Sequence, residues 1–516
     1  MPLTSLTTAQ KVGQLMMIGF DGTTVDAELS RMVTDYHIGG VILFARNVQS
    51  PEQVASLTNE LQTIALESGH PGLFIAIDQE GGRVARLTEA TGFTEFPSAM
   101  AIAATGDPEN ARRMAAAMAA EMRAVGINVD FAPDLDVNNN PSNPVIGTRS
   151  FSSDPVIVAE YGIAFARGLQ ENGVLAFGKH FPGHGDTGVD SHIDLPRVPH
   201  DRTRLDEVEL FPFRAAIQAN FAGIMSAHVT FPAFDSAPGV AATLSRPVLT
   251  GLLREELGYG GLIVTDSLEM GALAAKGYPP PVGAPLALAA GADILLFNRD
   301  HVMHREAFTN LMQAIGDGRA SQEQLDASVR RILEAKEKFG IVHPMPIAEP
   351  AKAGEAIAKG DHHALAWELA RKAITLLKDE ASLLPLEPEE RLLVIETPAA
   401  RGLGVLLDAR TLEIKNDPNE NTIAVALHLA SDADKIIVAT TDASFYPGQV
   451  RLVTELLAKN PNVMIVSVRA PYDISVLPMV PTALASYGSN PPMLRAIADV
   501  LTGQSKASGV LPVTLP

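Results

Sequence analysis

The sequence contains no cysteine among its 516 residues. This excludes disulfide bonds, thiolate zinc sites and a cysteine nucleophile. Basic side chains are also scarce: 40 Lys and Arg stand against 60 Asp and Glu, which gives a formal net charge of −20. A chain with this balance and no basic block is unsuited to the phosphate backbone of a nucleic acid or to an anionic membrane surface. We therefore expect neither as a partner.

Long apolar runs are missing as well. No stretch reaches the ~20 residues that a membrane-spanning helix needs. The N-terminal segment lacks the basic start, apolar run and small-residue cleavage site of a signal peptide, so we expect a cytoplasmic protein.

The composition, 46% hydrophobic and 19% charged, is that of a well-packed globular protein. The length exceeds the ~250–300 residues at which a single core stops growing, which predicts two domains.

Short apolar runs alternate with helix-like stretches through the first two-thirds of the chain. One such stretch, PENARRMAAAMAAEMRAVG, has Asp107 and Pro108 at its start and Gly126 at its end. The apolar runs are too short for core helices, so we predict buried parallel strands in QLMMIGF, GGVILFA, GLFIAID, INVDFAPDLDV, VLAFGKH, AGIMSAHV, GLIVTDS and ADILLFN. Eight strands alternating with helices predict a (β/α)8 barrel over residues 1–340, with a doubly wound open sheet as the alternative.

A second unit follows a proline-rich segment, residues 341–360, that is typical of a linker. Its apolar runs are RLLVIET, DKIIVATT and NVMIVSV, with the helix-like QVRLVTELLAKN between the last two. We predict a smaller α/β sheet domain over residues 361–516. It contains neither GxGxxG nor GxxxxGK, so we assign it no nucleotide.

Polar side chains gather at the carboxyl ends of the predicted barrel strands. In a barrel this is the end at which active sites are built. Because burying charged groups is costly, their repeated presence at this end indicates a function. These residues are Asp78, Asp134, Asp136, Lys179, His180, His228 and Asp266.

The densest polar cluster is a glycine-rich loop, KHFPGHGDTGVDSHIDLP, from Lys179 to Pro196. In an extended segment the spacing of Asp190 and His192 places both side chains on one side. The carboxylate can then bond one imidazole nitrogen, fix the tautomer and leave the other nitrogen for proton transfer. The alternative is a histidine that is simply solvated on a loop.

The same loop also permits a metal site. His180, His184, Asp186, Asp190 and His192 are acceptable zinc or manganese ligands. No HxH or HExxH spacing occurs in the sequence, however. We therefore predict neither a metal nor another cofactor, and keep a metal-dependent hydrolase as a distant alternative.

Two strand ends offer further candidate chemistry. Asp266 follows the apolar run GLIVT and is suited either to an N-cap or to a nucleophile at the barrel mouth. In FIAIDQEGGRVARL, Asp78 ends a strand, and Arg83 and Arg86 follow a Gly-Gly turn. A carboxylate and a guanidinium can bind sugar hydroxyls as acceptor and donor, or can pair with each other on the surface.

Five motifs stand in order along the first part of the chain: IDQEGGRVARL, GTRSF, GKHFPGHGDTGVDSH, MSAHV and IVTDSLEM. Together they resemble family 3 glycoside hydrolases, and within them the bacterial β-N-acetylglucosaminidases of cell-wall turnover and recycling. The resemblance covers most of residues 1–340, while ITLLKDEASLLPL and SGVLPVTLP resemble the second domain of the family.

The resemblance implies a retaining exo-β-N-acetylglucosaminidase that forms a covalent glycosyl-enzyme. Asp266 would be its nucleophile, His192 its acid/base and Asp190 the residue that orients His192. An imidazole with an ordinary pKa of ~6.5 suits both protonation states near neutral pH. The residues expected to bind the terminal sugar are Asp78, Arg86, Arg149, Lys179 and His180, with His228 as a nearby support.

Three further expectations follow from the resemblance. Because the dyad on the barrel loop would supply the acid/base, the second domain need not supply one, and we expect that domain to be mainly structural. Related enzymes tend to hold the peptides Ser150–Phe151 and Lys179–His180 cis, so at least one should be cis here. The expected partner is a small carbohydrate, a GlcNAc-containing oligosaccharide or muropeptide, whose aglycone the sequence leaves open.

A glycoside phosphorylase with the same nucleophile and dyad is the closest alternative function. A neutral histidine would admit an anionic phosphate where a carboxylate base would repel it.

Overall fold

Eight parallel strands form the first sheet of the computed structural model, which describes residues 5–189, 195–344 and 349–516. The sheet order is β7-β6-β5-β4-β3-β2-β1-β8, and a parallel bridge between Val264 and Ile294 joins the outer strands into a barrel. The barrel prediction is thereby confirmed, and the open-sheet alternative is excluded. The strands are β1 Met16–Ile18, β2 Gly40–Leu43, β3 Phe74–Ile77, β4 Val129–Asp130, β5 Leu175–Phe181, β6 Gly223–Ser226, β7 Leu262–Thr265 and β8 Leu295–Phe297.

Helices surround these strands, and their ends follow local capping rules. The Asp107 side chain accepts a hydrogen bond from the Glu109 backbone N–H at 2.9 Å, and Pro108 occupies the first helical position of the following helix. The α-helices of this part are α1 Thr8–Gln14, α2 Ala27–Thr34, α3 Pro51–Glu67, α4 Ala99–Ala104, α5 Pro108–Ala124, α6 Pro155–Glu171, α7 Arg202–Glu207, α8 Leu210–Gln218, α9 Gly271–Ala275, α10 Pro280–Ala290, α11 His301–Gly316 and α12 Gln322–Lys338. A π-helix, Pro247–Glu256, stands between β6 and β7.

The second sheet has six strands in the order β11-β10-β12-β13-β14-β9, all parallel except β9. The three predicted runs form β10, β12 and β13. The strands are β9 Thr375–Asp379, β10 Leu392–Glu396, β11 Arg410–Glu413, β12 Lys435–Thr440, β13 Val463–Ser467 and β14 Thr482–Ala485. The α-helices after residue 340 are α13 Ala353–Ala358, α14 His362–Ala373, α15 Leu403–Leu406, α16 Glu420–Leu429, α17 Pro447–Lys459, α18 Asp473–Val476 and α19 Pro491–Leu501.

Part of the predicted linker packs on the barrel. Ala353 and Ile357 of α13 are buried, and the Gly354 backbone N–H donates to Glu52 on α3 at 3.1 Å. The division into residues 1–340, 341–360 and 361–516 remains our proposal for the domain boundaries.

The two domains share apolar core and hydrogen bonds. Met100 and Ala104 of α4 belong to the hydrophobic cluster on one face of the second sheet. Asn138, after β4, donates to the Tyr472 hydroxyl at 2.7 Å, and Asn490 donates to the Phe96 carbonyl at 2.7 Å. These contacts hold the loops after β13 and β14 over the mouth of the barrel. None of the described helices is long and apolar enough to cross a bilayer.

A lysine is buried at the opposite end of the barrel from these loops. Lys336 is fully buried, with Nζ 2.9 Å from Gln14 Oε1 and 5.0 Å from the centre of the Phe74 ring. No described carboxylate pairs with it. Burial lowers the pKa of Lys336 from 10.5 to about 7, so charging this side chain destabilises the fold.

We expect Lys336→Met to stabilise the protein most at low pH. Below pH 7 both folded and unfolded states carry the proton, and the fold bears the full cost of a buried charge. Between about pH 7 and 10.5 only the unfolded state stays protonated, so that cost disappears as pH rises. The gain in the free energy of unfolding should be about 1–3 kcal/mol at pH 6 and should shrink by pH 9.5. Each unit of pKa difference between the folded and unfolded states corresponds to about 1.4 kcal/mol, and the loss of the Gln14 hydrogen bond offsets part of the gain.

Thermal unfolding of both proteins across this pH range measures the gain. Lys338→Met on the same helix is the matched control, since Lys338 is exposed. A gain that stays constant with pH, or that the control reproduces, would contradict the assignment.

Candidate active site

A polar cavity of about 260 Å³ opens at the carboxyl end of the barrel strands. This is the end at which the sequence predicted a site. The polar side chains lining it are Asp78, Glu80, Arg83, Arg86, Arg149, Lys179, His180, His184 and Asp266. Most of the predicted site residues are thus brought together in one cavity.

Lys179, near the carboxyl end of β5, is held between two carboxylates. Its Nζ lies 2.9 Å from Asp78 Oδ1 and 2.6 Å from Glu80 Oε1. Burial would lower the pKa of Lys179, but these two charges raise it above its ordinary value, so the side chain stays protonated. Asp78, which also lies 3.7 Å from Arg86, is less buried than Glu80 and faces the cavity. Asp78 and Lys179 therefore offer a sugar hydroxyl an acceptor and a donor side by side.

Arg149 forms the second ion pair of the cavity wall. Its guanidinium makes two parallel hydrogen bonds of 2.8 Å to Glu80 and lies 3.6 Å from Asp134 Oδ2. Although burial alone would raise it, Arg149 and Lys179 hold the pKa of Glu80 well below its ordinary range. Glu80 thereby fixes two cations that were predicted to bind sugar, a role that the sequence analysis missed.

His180 is held by a buried carboxylate. Its ring Nδ1 lies 2.7 Å from Asp136 Oδ2, and Asp136 Oδ1 accepts the backbone N–H of His184 at 2.6 Å. Burial and the Arg149 guanidinium lower the pKa of His180 to about 4, so the ring is neutral near pH 7. With Nδ1–H donating to Asp136, the Nε2 side faces Arg149 at 3.4 Å and can accept. Asp136 therefore orients His180, which the sequence analysis did not predict.

Asp266 follows β7 at the cavity wall. Its Oδ1 accepts the Ser267 backbone N–H at 2.7 Å. Burial alone would raise the pKa of Asp266, but His228, His180, the Ser267 N–H and Lys179 hold it below the ordinary value. The carboxylate is therefore ionised at neutral pH, as a nucleophile requires.

His228 lies beside Asp266 but is fully buried. Its Nδ1 is 2.9 Å from Thr243 Oγ1 and its Nε2 is 2.9 Å from the Ser267 carbonyl oxygen. His228 is not among the described residues that line the cavity. This placement suits a residue that positions the Asp266 loop better than one that contacts the sugar.

The predicted dyad, Asp190 and His192, lies outside the described residues, which end at 189 on one side and resume at 195 on the other. The structure therefore leaves its role a prediction. Of the two peptides expected to be cis, Lys179–His180 is cis and Ser150–Phe151 is not, so the expectation of at least one is confirmed.

A metal fits the cavity poorly. Asp134, Asp136 and His180 bring ligand atoms within 4.8 Å of one another. The His180 and Asp136 atoms bond to each other, however, and the Arg149 guanidinium already lies against Asp134. A divalent cation would have to break the first contact and tolerate the second charge.

Comparison with known proteins supports one family over nearly the whole chain. Residues 7–335 match the glycosyl hydrolase family 3 N-terminal domain, and residues 374–516 match the C-terminal domain of that family. β-Hexosaminidase A of Pseudoalteromonas piscicida is 36% identical, over 99% of this chain and 97% of its own. The solved family 3 β-N-acetylglucosaminidase of Paenibacillus sp. FPU-7 is 41% identical, with a TM-score of 0.93 and 99% of both chains covered. A β-glucoside phosphorylase structure is 26% identical, with a TM-score of 0.84 over 99% of this chain and 95% of its own.

Proposed function

The chain belongs to glycosyl hydrolase family 3 and is a glycoside hydrolase, and we propose that it is a retaining exo-β-N-acetylglucosaminidase. The observation that carries the proposal is an ionised Asp266 in a cavity whose other walls carry carboxylates and cations that can accept from and donate to hydroxyl groups. Similarity to a β-hexosaminidase and to a β-N-acetylglucosaminidase supports GlcNAc as the sugar. Cell-wall muropeptides or chitin-type oligosaccharides, and a cytoplasmic location, are further parts of the proposal.

The proposed reaction has two steps at one carbon. Asp266 attacks the anomeric carbon and forms a glycosyl-enzyme, while the bond to the leaving oxygen breaks and His192 gives that oxygen a proton. His192 then takes a proton from water, whose oxygen attacks the same carbon and releases Asp266 as a carboxylate. Asp190 would hold the tautomer of His192.

The sugar is held by the ion pairs described above. Asp78 accepts from a hydroxyl, while Lys179 and Arg149 donate without rearranging, because Glu80 already fixes both cations. Such preorganised donors need no reorientation as charge develops in the transition state.

A panel of p-nitrophenyl glycosides tests the proposed activity. We expect the β-GlcNAc substrate to exceed β-glucoside and β-xyloside in kcat/KM by at least about tenfold, because a missing hydrogen-bonded group costs a site more than 1 kcal/mol. Proton NMR of the first product should show the β-anomer. A preference for glucose would refute the proposed specificity, and the α-anomer as first product would refute retention.

A glycoside phosphorylase is the second candidate, favoured by the similarity to the β-glucoside phosphorylase structure. Its test is turnover with and without phosphate, followed by a search for sugar 1-phosphate. A metal-dependent hydrolase is the distant third, and turnover that survives chelators would dismiss it.

A further inference from the structure

The loop after β3 carries several groups of the catalytic cavity, yet its returning half has little backbone pairing. The chain leaves β3 at Asp78, reverses at the Gly-Gly turn, where φ is 89° and 58°, and comes back to Arg86. The Glu80 N–H donates to the Val84 carbonyl oxygen at 2.9 Å and closes the turn. Beyond this bond, no backbone carbonyl of the described chain accepts the N–H of Arg86 or Leu87. Another group must therefore hold the segment that carries Arg86.

The side chain of Gln79 supplies these hydrogen bonds. Its Oε1 accepts the backbone N–H groups of Arg86 at 2.7 Å and Leu87 at 3.1 Å, and its Nε2 donates to the Leu87 carbonyl oxygen at 3.0 Å. A side-chain amide has the donor and the acceptor of a peptide group, so Gln79 pairs with the returning chain as a neighbouring strand would. Gln79 is 2% exposed, and water therefore competes little for these bonds.

The backbone of Gln79 is fixed as well. Its N–H donates to Asp130 Oδ1 at 2.9 Å, and Asp130 is a fully buried residue of β4. The side chain of Gln79 thus extends from a peptide that is tied to the neighbouring strand of the barrel. The residues on either side of it, Asp78 and Glu80, both contact Lys179 in the cavity wall. Gln79 therefore connects the barrel wall to the segment that carries Arg86.

Arg86 depends on this connection for its place in the cavity. Its guanidinium lies 3.7 Å from Asp78 Oδ2, which is too long for a hydrogen bond, and its Nε is buried with no hydrogen-bond partner in the described chain. A donor in this state is suited to a sugar hydroxyl, as the proposed function requires. Because the contacts of its side chain are weak, the position of the guanidinium follows that of its backbone, which Gln79 holds.

We propose that Gln79 is a positioning residue of the active site, whose side-chain amide holds Arg86 where it can bind the terminal sugar. This rests on the proposed function, in which Arg86 is one of the sugar-binding residues, and deepens it by naming a residue that acts without touching the sugar. Gln79 is not among the described residues that line the cavity, so its effect on sugar binding passes through its neighbours.

A double-mutant cycle tests the proposal. Gln79→Met keeps the length of the side chain and removes its three hydrogen bonds. We expect it to lower kcat/KM for the p-nitrophenyl glycoside that the wild type cleaves fastest by about ten- to a hundredfold, chiefly through KM, because misplacing a binding group carries losses of this size. In the Arg86→Met background the same change should cost less than about threefold, because the group that Gln79 positions is gone. Equal losses in both backgrounds would overturn the proposal.

Gln62→Met is the matched control. Gln62 lies on α3 and bonds the backbone N–H and carbonyl of Leu73 at 2.7 and 2.9 Å, directly before the amino end of β3. It thus makes the same kind of contact as Gln79 at the end of the strand that faces away from the active site. Gln62→Met should lower Tm and leave the Kd for free GlcNAc unchanged, whereas Gln79→Met should raise that Kd by the same factor as KM. A comparable rise in Gln62→Met would show that Gln79→Met acts through stability, and would overturn the proposal.

Hydrogen exchange of the wild type decides the question even if Gln79→Met does not fold. In the described chain the amides of Arg86 and Leu87 have only the Gln79 side chain as acceptor, so they should exchange at least about a hundredfold more slowly than unprotected amides. Rapid exchange of both would overturn the proposal. The proposed function fails separately: if the wild type prefers a β-glucoside, the proposed specificity is wrong, while the cycle run with that glycoside still decides the role of Gln79.

Discussion

Asp266→Asn should lower kcat for p-nitrophenyl β-GlcNAc by at least about a thousandfold, because no other group forms the glycosyl-enzyme. The fold should survive, since an amide oxygen can still accept the Ser267 N–H that now bonds Oδ1. Asp266→Ala should lose as much activity and excludes slow deamidation as a source of residual turnover. Steady-state rates and thermal unfolding of the same preparations measure both expectations.

Labelling identifies the nucleophile directly. A fluorinated substrate that deglycosylates slowly should attach to Asp266 in the wild type, and mass spectrometry of the peptides locates it. Glu269→Gln is the matched control: this carboxylate lies on the same loop and lines no part of the cavity, and it bonds the Asn298 backbone N–H and His304 instead. Label on another residue, or an equal loss in Glu269→Gln, would refute the assignment of Asp266.

The barrel could be predicted because its strands are buried on both faces. Runs such as Gly40–Leu43 and Phe74–Ile77 are continuous and apolar, and Gly or Pro marks their ends. The edge strand Arg410–Glu413 was not predicted, since its residues are mostly polar and exposed and show no regular alternation of apolar and polar side chains. The pairing of Thr482–Ala485 with Thr375–Asp379 also escaped prediction, because antiparallel contact across a hundred residues leaves no local pattern.

The site could be predicted only in part. Asp78, Arg149 and Lys179 were predicted to bind the sugar, whereas the role of Glu80 depends on its contacts with Lys179 of β5 and with Arg149 in the segment after β4. Its signal was present: two cations assigned to one buried cavity need a buried anion between them. Asp136 was visible at a strand end, but its bond to His180 depends on the register of β4 and β5, which the sequence does not reveal.

A second large loss of activity is expected when the acid/base, His192, is replaced. His192→Ala should lower kcat/KM for N,N′-diacetylchitobiose by at least about a hundredfold, because a sugar alkoxide leaves poorly without a proton. A dinitrophenyl glycoside should form the glycosyl-enzyme at nearly the wild-type rate, since its phenolate needs no proton. Its turnover should then stall after a burst of dinitrophenolate, because water no longer has a base. Stopped-flow release and steady-state rates measure the two phases.

Azide should restore turnover of the dinitrophenyl substrate by His192→Ala and yield a β-glycosyl azide, because this anion attacks the glycosyl-enzyme without a base. Asp190→Ala should do less damage than His192→Ala, as an orienting residue does. His200→Ala is the matched histidine control: it pairs with Asp186 at 2.6 Å, does not line the catalytic cavity and should need no rescue. If His192→Ala slows good and poor leaving groups equally and azide changes nothing, His192 binds substrate and transfers no proton. The donor must then be sought among the other groups that line the catalytic cavity, of which His184 is the histidine nearest to His192 along the chain.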